Sequence, residues 1–211
     1  MTFEGIYAIV DRAVHDRPME LLDAVLSGGV RLVQYRAKAG VDRALVRELT
    51  ARARAVGAKL IVNDDLEAAL EADGWHAGQE DLLGHDVSSI RRRLGTRIFG
   101  VSCPTAAEAL LAQAAGADYA GVGPFAVTSS KDDAGPAIGI EGVRAVVRAV
   151  SLPVVAIGGI NAANLPSVAA SGAAMAAVIS AIALQPDPGQ AARELVEQWR
   201  SLRGDRVAGS P

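Results

Sequence analysis

Short apolar runs alternate along the chain with segments of helical periodicity. The runs are rich in valine, isoleucine, leucine and alanine and show no regular alternation with polar residues. Uninterrupted apolar runs are typical of strands that are buried on both faces of a parallel sheet. The pattern predicts eight such strands, at Ile6–Val10, Leu32–Tyr35, Leu60–Val62, Gly74–His76, Ile98–Ser102, Tyr119–Val122, Val154–Ile157 and Met175–Ile179.

Helix start signals stand between the predicted strands. Proline suits the first turn of a helix, as at Pro18, and the side chains of Asp42 and Thr105 are of the kind that caps a helix start. Helices are therefore predicted at Met19–Leu26, Asp42–Val56, Leu66–Ala72, Ile90–Leu94, Pro104–Ala115, Ile140–Val150, Leu165–Ala170 and Asp187–Leu202.

Repeated strand-then-helix units predict an α/β fold, a single (β/α)8 TIM barrel, for which roughly 200–250 residues suffice. The chain has 211 residues, half of them apolar, which is enough for one sizeable core. A doubly wound open sheet is disfavoured because its glycine-rich first turn is missing. Residues 1–203 are expected to form the catalytic barrel, and residues 204–211 are expected to form a disordered tail.

Charge and cysteine content exclude several classes of protein. With 21 basic and 24 acidic residues the net charge is −3, and no basic block is present. Neither nucleic acid nor an anionic membrane is therefore an expected partner. No apolar run of about 18 residues suggests a membrane span, and no secretory signal is visible, which predicts a cytoplasmic protein. The single cysteine, Cys103, excludes an intramolecular disulfide; a homo-oligomer is left open.

In a TIM barrel the functional site lies where the carboxyl ends of the strands meet. Gln34, Arg36 and Lys38 stand at alternate positions around the end of the second strand, so they are expected to project together. Two cations beside an amide would hold a polyanionic group, most naturally a pyrophosphate. The alternative is that Arg36 and Lys38 are solvated charges at a strand exit.

Acidic residues follow the third and fourth strands. Asp64 and Asp81 would end neighbouring strands and reach one hard cation. Mg²⁺ is typically held by one or two carboxylates together with substrate phosphate oxygens, so a magnesium site beside a pyrophosphate is predicted. The alternative is that Asn63–Asp65 caps the helix that begins at Leu66. Whether Asp65 shares the metal is left open.

Three further side chains lie on or after the fourth and fifth strands. Ser102 is expected to hydrogen-bond a phosphate or a leaving oxygen. His76 is interpreted as a satisfied core histidine, and its contact with substrate is left open. Cys103 has no charged partner in the sequence that would activate its thiol, so a buried packing role is expected.

The connection after the sixth strand is unusually long. Connections in compact domains have a median of about 4–6 residues, and a much longer one is usually functional or disordered. This loop carries the hydroxyls of Thr128 and Ser130 and the ammonium of Lys131, which are donors suited to phosphate oxygens. The alternative is a flexible surface loop.

A second anion site is predicted after the last two strands. Gly158 and Gly159 follow the seventh strand, and Ser180 follows the eighth. Barrels often bind a phosphate with these two loops and the N-terminus of a short extra helix. The pattern therefore predicts a monophosphate site here, although Gly158 and Gly159 are also compatible with a tight turn alone.

The motifs together resemble the thiamine-phosphate synthase family over nearly the whole barrel, roughly from Ile6 to Ile182. A single motif such as Ile157–Gly159 recurs in many phosphate-binding barrels, whereas the complete set in this order is specific. The resemblance rests on Gln34–Lys38, Asn63–Asp64, Asp73–Asp81, Gly100–Ser102, Gly123–Lys131, Ala156–Ile160 and Val178–Ser180.

The resemblance implies a transferase of thiamine biosynthesis that joins a hydroxymethylpyrimidine diphosphate to a thiazole monophosphate and releases pyrophosphate. It implies Mg²⁺ as cofactor and a dissociative substitution without a protein nucleophile. By resemblance, the catalytic residues would be Arg36, Lys38, Ser102 and Lys131, which would contact the diphosphate together with Asn63. Gln34 would contact the pyrimidine, and Asp64 and Asp81 would bind the metal. The thiazole phosphate would be held by Thr128, Ser130, Gly159, Ile179 and Ser180.

The chain departs from the family's pattern in the loop after the sixth strand. The family reads Phe-Pro-Thr-x-Thr-Lys, whereas residues 126–131 read Ala-Val-Thr-Ser-Ser-Lys. Ser130 keeps a hydroxyl, but Val127 lacks the fixed φ of proline, so the stiffness of the loop is open. The segment from Asn63 to Asp73 is also shorter than usual, which leaves the angle of Asp64 toward a metal open.

Two other functions remain as alternatives. A thiazole tautomerase of the same fold is expected to lack the paired cations and the metal carboxylates, and to carry a histidine where Pro124 stands. A non-catalytic barrel that binds a phosphate ligand would keep the anion sites without turnover. The paired cations and carboxylates favour the synthase over the tautomerase.

Overall fold

The computed structural model describes residues 3–82, 87–128 and 135–207. Its strands are β1 (Gly5–Asp11), β2 (Leu32–Arg36), β3 (Lys59–Asn63), β4 (Gly74–Ala77), β5 (Ile98–Ser102), β6 (Tyr119–Val122), β7 (Val154–Ile157) and β8 (Met175–Val178). The helices are α1 (Pro18–Ser27), α2 (Arg43–Ala55), α3 (Leu66–Ala69), α4 (Gln79–Leu82), α5 (Val87–Leu94), α6 (Ala106–Ala114), α7 (Gly139–Ala149), α8 (Leu165–Ala170), α9 (Ser180–Ala183) and α10 (Pro188–Val207).

The strands form a closed parallel barrel in sequence order, and β1 closes the barrel by pairing with β8. In the register Tyr7 lies opposite Leu32 of β2 and opposite Ala177 of β8. Because all strands run in one direction, their carboxyl ends meet at one end of the barrel, which we call the mouth. The predicted α/β TIM barrel is confirmed.

Alternate residues of each strand divide the core into an inner and an outer part. Outward side chains such as Val33 and Trp75 pack in the larger cluster beneath the helices. Both parts are fully buried, which explains why the strands read as uninterrupted apolar runs. The inner cluster consists of Tyr7, Ile9, Leu32, Ile61, Tyr119, Val155, Met175 and Ala177.

Helix starts follow the signals in the sequence. The Asp42 carboxylate accepts the N–H of Ala44 at 2.8 Å, and Pro18 stands in the first turn of α1. At α6, Thr105 and Glu108 cap each other's backbone N–H in a capping box. A cap of this kind typically stabilises a helix by about 1 kcal/mol.

Two helix ends differ from the predictions. Helix α3 ends at Ala69 instead of Ala72. Helix α10 continues past the predicted end and includes residues 204–207, which the sequence assigned to the tail. Near that end Arg203 donates to the carbonyl of Ala173 at 2.6 Å and stacks on Trp199, so the last turns are tied to the barrel. Residues 208–211 lie outside the described residues, and the tail there stays a prediction.

No described helix combines the length and apolarity that a membrane span requires.

Candidate active site

Polar side chains from four neighbouring strands lie on the inner face near the mouth. Gln34 and Arg36 on β2 have the same parity as the inward Leu32, and Asn63 has the parity of Ile61. His76 and Ser102 are brought into the same interior by a hydrogen bond of 2.9 Å between them. Lys38 lies beyond the end of β2 and is exposed to solvent. The predicted alternation of Gln34 and Arg36 is thus realised along β2.

Arg36 is held at the mouth by a carboxylate that the sequence reasoning missed. Its guanidinium donates to Asp11, the residue opposite it in the β1–β2 register. The Asp11 side chain is 1% exposed and also accepts the N–H of Ala13 at 2.9 Å. Asp11 therefore fixes the direction of Arg36, whose side chain is 12% exposed.

The two aspartates after β3 have separate tasks. Asp65 caps α3, since its carboxylate accepts the N–H of Ala68 at 2.9 Å. Asp64 has φ +62°, and its backbone is fixed on both sides by β4. Its N–H donates to the carbonyl of His76 at 2.9 Å, and its carbonyl accepts the indole N–H of Trp75 at 2.9 Å. The capping alternative therefore describes Asp65, whereas the backbone of Asp64 is held against β4.

Asp81 does not directly end a strand. It lies on the short helix α4, beyond the end of β4. One of its oxygens, Oδ2, accepts the N–H of Gly78 at 2.7 Å, which ties the carboxylate to the turn after β4. Asp64 and Asp81 thus follow adjacent, paired strands, and each is oriented by a hydrogen bond or by the backbone around it.

The loops after β6 and β7 pack closely through their backbones. The N–H groups of Phe125 and Ala126 donate to the carbonyls of Ile157 and Gly158 at 2.8 and 2.9 Å. A Cβ at Gly159 would lie 2.5 Å from the carbonyl oxygen of Val127, and Gly159 has φ +65°. Glycine is required here both for the close approach and for the left-handed backbone. Val127 itself is 90% exposed.

The structure describes the predicted phosphate loop as far as Thr128. Thr128 is partly buried and is the last residue described before the gap. The predicted contacts Ser130 and Lys131 lie outside the described residues.

At the end of β8 the chain turns into the short helix α9. The strand ends at Val178, and Ile179 is the N-cap of α9, which begins with the exposed Ser180. The first backbone N–H groups of a helix have no partner within it and favour an anion. A short helix is therefore present at the position where the sequence predicts a monophosphate site.

A line of hydrogen bonds crosses the barrel interior below the mouth, and we call it the relay. Gln34 Nε2 donates to the Tyr7 hydroxyl at 3.0 Å, and the Tyr7 and Tyr119 hydroxyls are 2.9 Å apart. The Tyr119 hydroxyl is 2.8 Å from His76 Nδ1, and His76 Nε2 is 2.9 Å from Ser102 Oγ. The relay thus joins the predicted pyrimidine contact to a predicted diphosphate contact.

Cys103 follows the relay's last member but takes no part in it. The thiol is fully buried and donates to the carbonyl of Val101 at 3.4 Å. Burial, with a smaller contribution from the negative charge of Glu108, raises the pKa of Cys103 to about 12. The thiol is therefore protonated and unreactive at neutral pH, which agrees with the predicted packing role.

Sequence reasoning missed Asp11, Tyr7 and Tyr119. Asp11 ends its strand as Arg36 ends the next one, so the strand-end rule applied to the first strand would have found it. The tyrosines carry no comparable signal, because inward and outward positions of these strands are equally apolar. Glycines at Gly100 and Gly121 are the one hint that large inward rings need space nearby.

Comparison with known proteins gives a consistent result. A family model described as thiamine monophosphate synthase matches residues 6–182. A thiamine-phosphate synthase of Geobacillus kaustophilus is 45% identical over 209 residues, covering 94% of this chain and 93% of that protein. One from Moorella thermoacetica is 47% identical over 195 residues, covering 88% and 90%. The solved thiamine phosphate pyrophosphorylase of Pyrococcus furiosus superposes with a TM-score of 0.85 at 33% identity, covering 95% of this chain and 98% of that one.

Proposed function

Because this chain belongs to the thiamine monophosphate synthase family and carries out thiamine-phosphate synthesis in thiamine biosynthesis, we propose that it joins an amino-substituted hydroxymethylpyrimidine diphosphate to a thiazole monophosphate and releases pyrophosphate. The observation that supports the proposal is the division of the polar groups around the mouth into two regions, which we propose as two anion sites. One is built from side chains after β2 to β5, and the other is built from backbone after β7 and β8.

The first site suits a diphosphate next to an uncharged ring. Arg36 presents a guanidinium that Asp11 holds in one direction, and Lys38 adds a second cation at the exit of β2. A guanidinium held in place can bind two phosphate oxygens at once. Asn63 and Ser102 supply neutral polar groups on the neighbouring strands, and Gln34 lies deeper, where the pyrimidine would enter.

The residues after β3 and β4 fit Mg²⁺. Asp64, which follows β3, and Asp81, on α4 after the neighbouring β4, supply hard carboxylate oxygens, and one or two carboxylates plus substrate phosphates are the usual ligands of this ion. Asp65 is committed to its helix cap, so the protein ligands we propose are Asp64 and Asp81. When bound, the ion would neutralise charge that builds up on the departing pyrophosphate.

The protein's own groups act by position and charge. Arg36 and Lys38 stabilise negative charge on the leaving diphosphate, and such preorganised electrostatics is often the largest catalytic contribution. The bond from the methylene carbon to the diphosphate oxygen breaks first, and the pyrimidine ring carries the positive charge. The thiazole nitrogen, held nearby, then captures the methylene carbon. This sequence needs no protein nucleophile, and the buried, protonated Cys103 is not used as one.

The second site would hold the thiazole monophosphate. Gly159 lets the chain approach the loop after β6, and Ile179 and Ser180 offer backbone N–H groups at the start of α9. Thr128 adds a hydroxyl from the loop between the two sites. We propose that Ser130 and Lys131 complete the loop's contacts, with Lys131 on the diphosphate.

The proposal is tested by supplying both substrates with Mg²⁺ and measuring pyrophosphate and thiamine phosphate. We expect both products in equal amounts, no product with either substrate alone, and loss of turnover with EDTA that Mg²⁺ restores. Turnover that is unchanged by EDTA would contradict the metal assignment. Thiazole isomerisation without pyrophosphate release would favour the tautomerase, and binding without any reaction would favour the non-catalytic barrel.

A further inference from the structure

The protons that each group of the relay can donate favour one direction for its hydrogen bonds. Burial raises the pKa of Tyr7 and of Tyr119 above the ordinary value, so each phenol keeps one proton at neutral pH. The amide nitrogen of Gln34 can only donate. Tyr7 accepts from Gln34, and the arrangement in which each phenol proton is donated within the relay has Tyr7 donate to Tyr119 and Tyr119 donate to Nδ1 of His76.

The direction continues through the histidine. In this direction Nδ1 of His76 accepts a hydrogen bond from Tyr119, so the imidazole ring carries its hydrogen on Nε2. Nε2–H then donates to Ser102 Oγ, and the hydroxyl proton of Ser102 is left for another acceptor. At the opposite end, Oε1 of Gln34 is the amide atom left to accept. The relay thus ends in one acceptor and one donor.

We propose that Tyr7, Tyr119 and His76 are positioning residues that orient Gln34 as an acceptor toward the amino-substituted pyrimidine and Ser102 as a donor toward its diphosphate. The polarity matches the substrate, since a ring amino group donates and diphosphate oxygens accept. The inference rests on the proposed function for the identity of that substrate. Because hydrogen bonds in a chain polarise one another, binding at the Gln34 end strengthens the Ser102 donor at the other end.

The barrel leaves space for the relay at two inward glycines. A Cβ at Gly100 would lie 2.0 Å from Cζ of Tyr119 and 2.3 Å from its hydroxyl. A Cβ at Gly121 would lie 3.2 Å from Cε1 of His76. The rings of His76 and Tyr119 also stack with centroids 5.5 Å apart. Their positions are therefore set by packing, and the hydrogen bonds set which atoms carry protons.

The test removes single hydroxyls and keeps the rings. The chain has three tyrosines, and two of them are in the relay. The third, Tyr35, is buried on the outer side of β2 and is the matched control. The variants are Tyr7→Phe, Tyr119→Phe and Tyr35→Phe, with the melting temperature of each measured alongside its kinetics.

We expect Tyr119→Phe to lower kcat about tenfold, because His76 loses the partner that orients it toward Ser102. Tyr7→Phe should mainly raise the KM for the pyrimidine diphosphate, by roughly fivefold, because Gln34 loses its anchor. The KM for the thiazole monophosphate should not change in either variant. Tyr35→Phe should cost stability alone.

A double-mutant cycle separates a relay from independent packing effects. Within one network the second loss matters less than the first. The combined Tyr7→Phe and Tyr119→Phe variant should therefore lose less in kcat/KM than the product of the single losses. The combined Tyr35→Phe and Tyr119→Phe variant should show simple multiplication. Multiplicative losses in both combinations, or a Tyr119→Phe variant with the kcat of Tyr35→Phe, would overturn the proposal.

Nitrogen-15 NMR of the histidine ring gives a readout on the unaltered protein that needs no catalysis. We expect the unaltered protein to hold His76 as the Nε2–H tautomer, with its signal identified by loss in His76→Gln. Finding the Nδ1–H tautomer would overturn the direction of the relay. If the unaltered protein made no thiamine phosphate, the proposed function would fail, while the tautomer would still decide the relay.

Discussion

The two halves of the mouth present polar groups of different kinds, and we propose that they bind anions by different means. At and after the ends of β2 to β5 the polar groups are side chains, and three of them are held by a second group: Arg36 by Asp11, Ser102 by His76 and Asp81 by the N–H of Gly78. After β7 and β8 the polar groups are mainly backbone N–H groups, brought into place by glycine and by the start of α9.

The difference follows from the charge that each half has to manage. A leaving diphosphate gains negative charge during the reaction, and charged side chains and a metal ion stabilise that gain more strongly than neutral donors do. A monophosphate that merely anchors the second substrate keeps its charge throughout. Neutral N–H groups are sufficient to bind such a phosphate, and they do not repel one another as cations would when the site is empty. We therefore expect substitutions in the first half to affect turnover and substitutions in the second half to affect binding.

The largest effect is expected from the carboxylates. Asp64→Asn and Asp81→Asn should each lower kcat about 100-fold or more, because charge on the leaving pyrophosphate is no longer neutralised. Asp65→Asn is the matched control, since asparagine caps a helix as well as aspartate does. Pyrophosphate release measured against Mg²⁺ concentration checks the three variants. Near-normal turnover in both Asp64→Asn and Asp81→Asn would remove the metal assignment.

A smaller effect, on binding, is expected from Gly159→Ala. The added Cβ would lie 2.5 Å from the Val127 carbonyl oxygen and would separate the two loops. The KM for the thiazole monophosphate should rise roughly tenfold with little change in kcat. Gly57→Ala has the same kind of positive φ, but its Cβ meets open space, so it reports backbone strain of about 1 kcal/mol without the clash. A similar KM in both variants would contradict a backbone-built phosphate site.

The smallest effect is expected from loss of the support behind Arg36. Asp11→Asn should raise the KM for the pyrimidine diphosphate about fivefold, because the guanidinium is no longer held in one direction. Asp73→Asn is the control, since it removes a buried carboxylate that pairs with Arg54 and Lys59 away from the mouth. Both variants should lose stability in thermal unfolding, and Asp11→Asn alone should alter the KM. An unchanged KM would show that Arg36 does not need Asp11.

Much of the candidate site could be read from the sequence because a barrel turns a linear order into a ring. Once the strands are assigned, the residues at and just after their carboxyl ends must share one end of the barrel. Gln34, Arg36, Asn63 and Ser102 are predicted as site residues in that way. Local chemistry was also sufficient for helix caps such as Asp42 and Thr105. The sequence does not decide whether Asp64 or Asp65 caps α3, because both are aspartates that stand directly before the predicted helix.

The sequence by itself determined the order and bounds of most elements, the barrel and the residues around its mouth, because these depend on local periodicity and on turn chemistry. Only the tertiary structure decided which face of each strand points inward. It also decided that Asp11 holds Arg36, and that Tyr7, Tyr119 and His76 link Gln34 to Ser102. The physical reason is that both faces of these strands are buried and apolar, so the sequence pattern does not show which residues of a strand point inward. In addition, the partners of a polar group come from distant strands that meet only when the barrel closes.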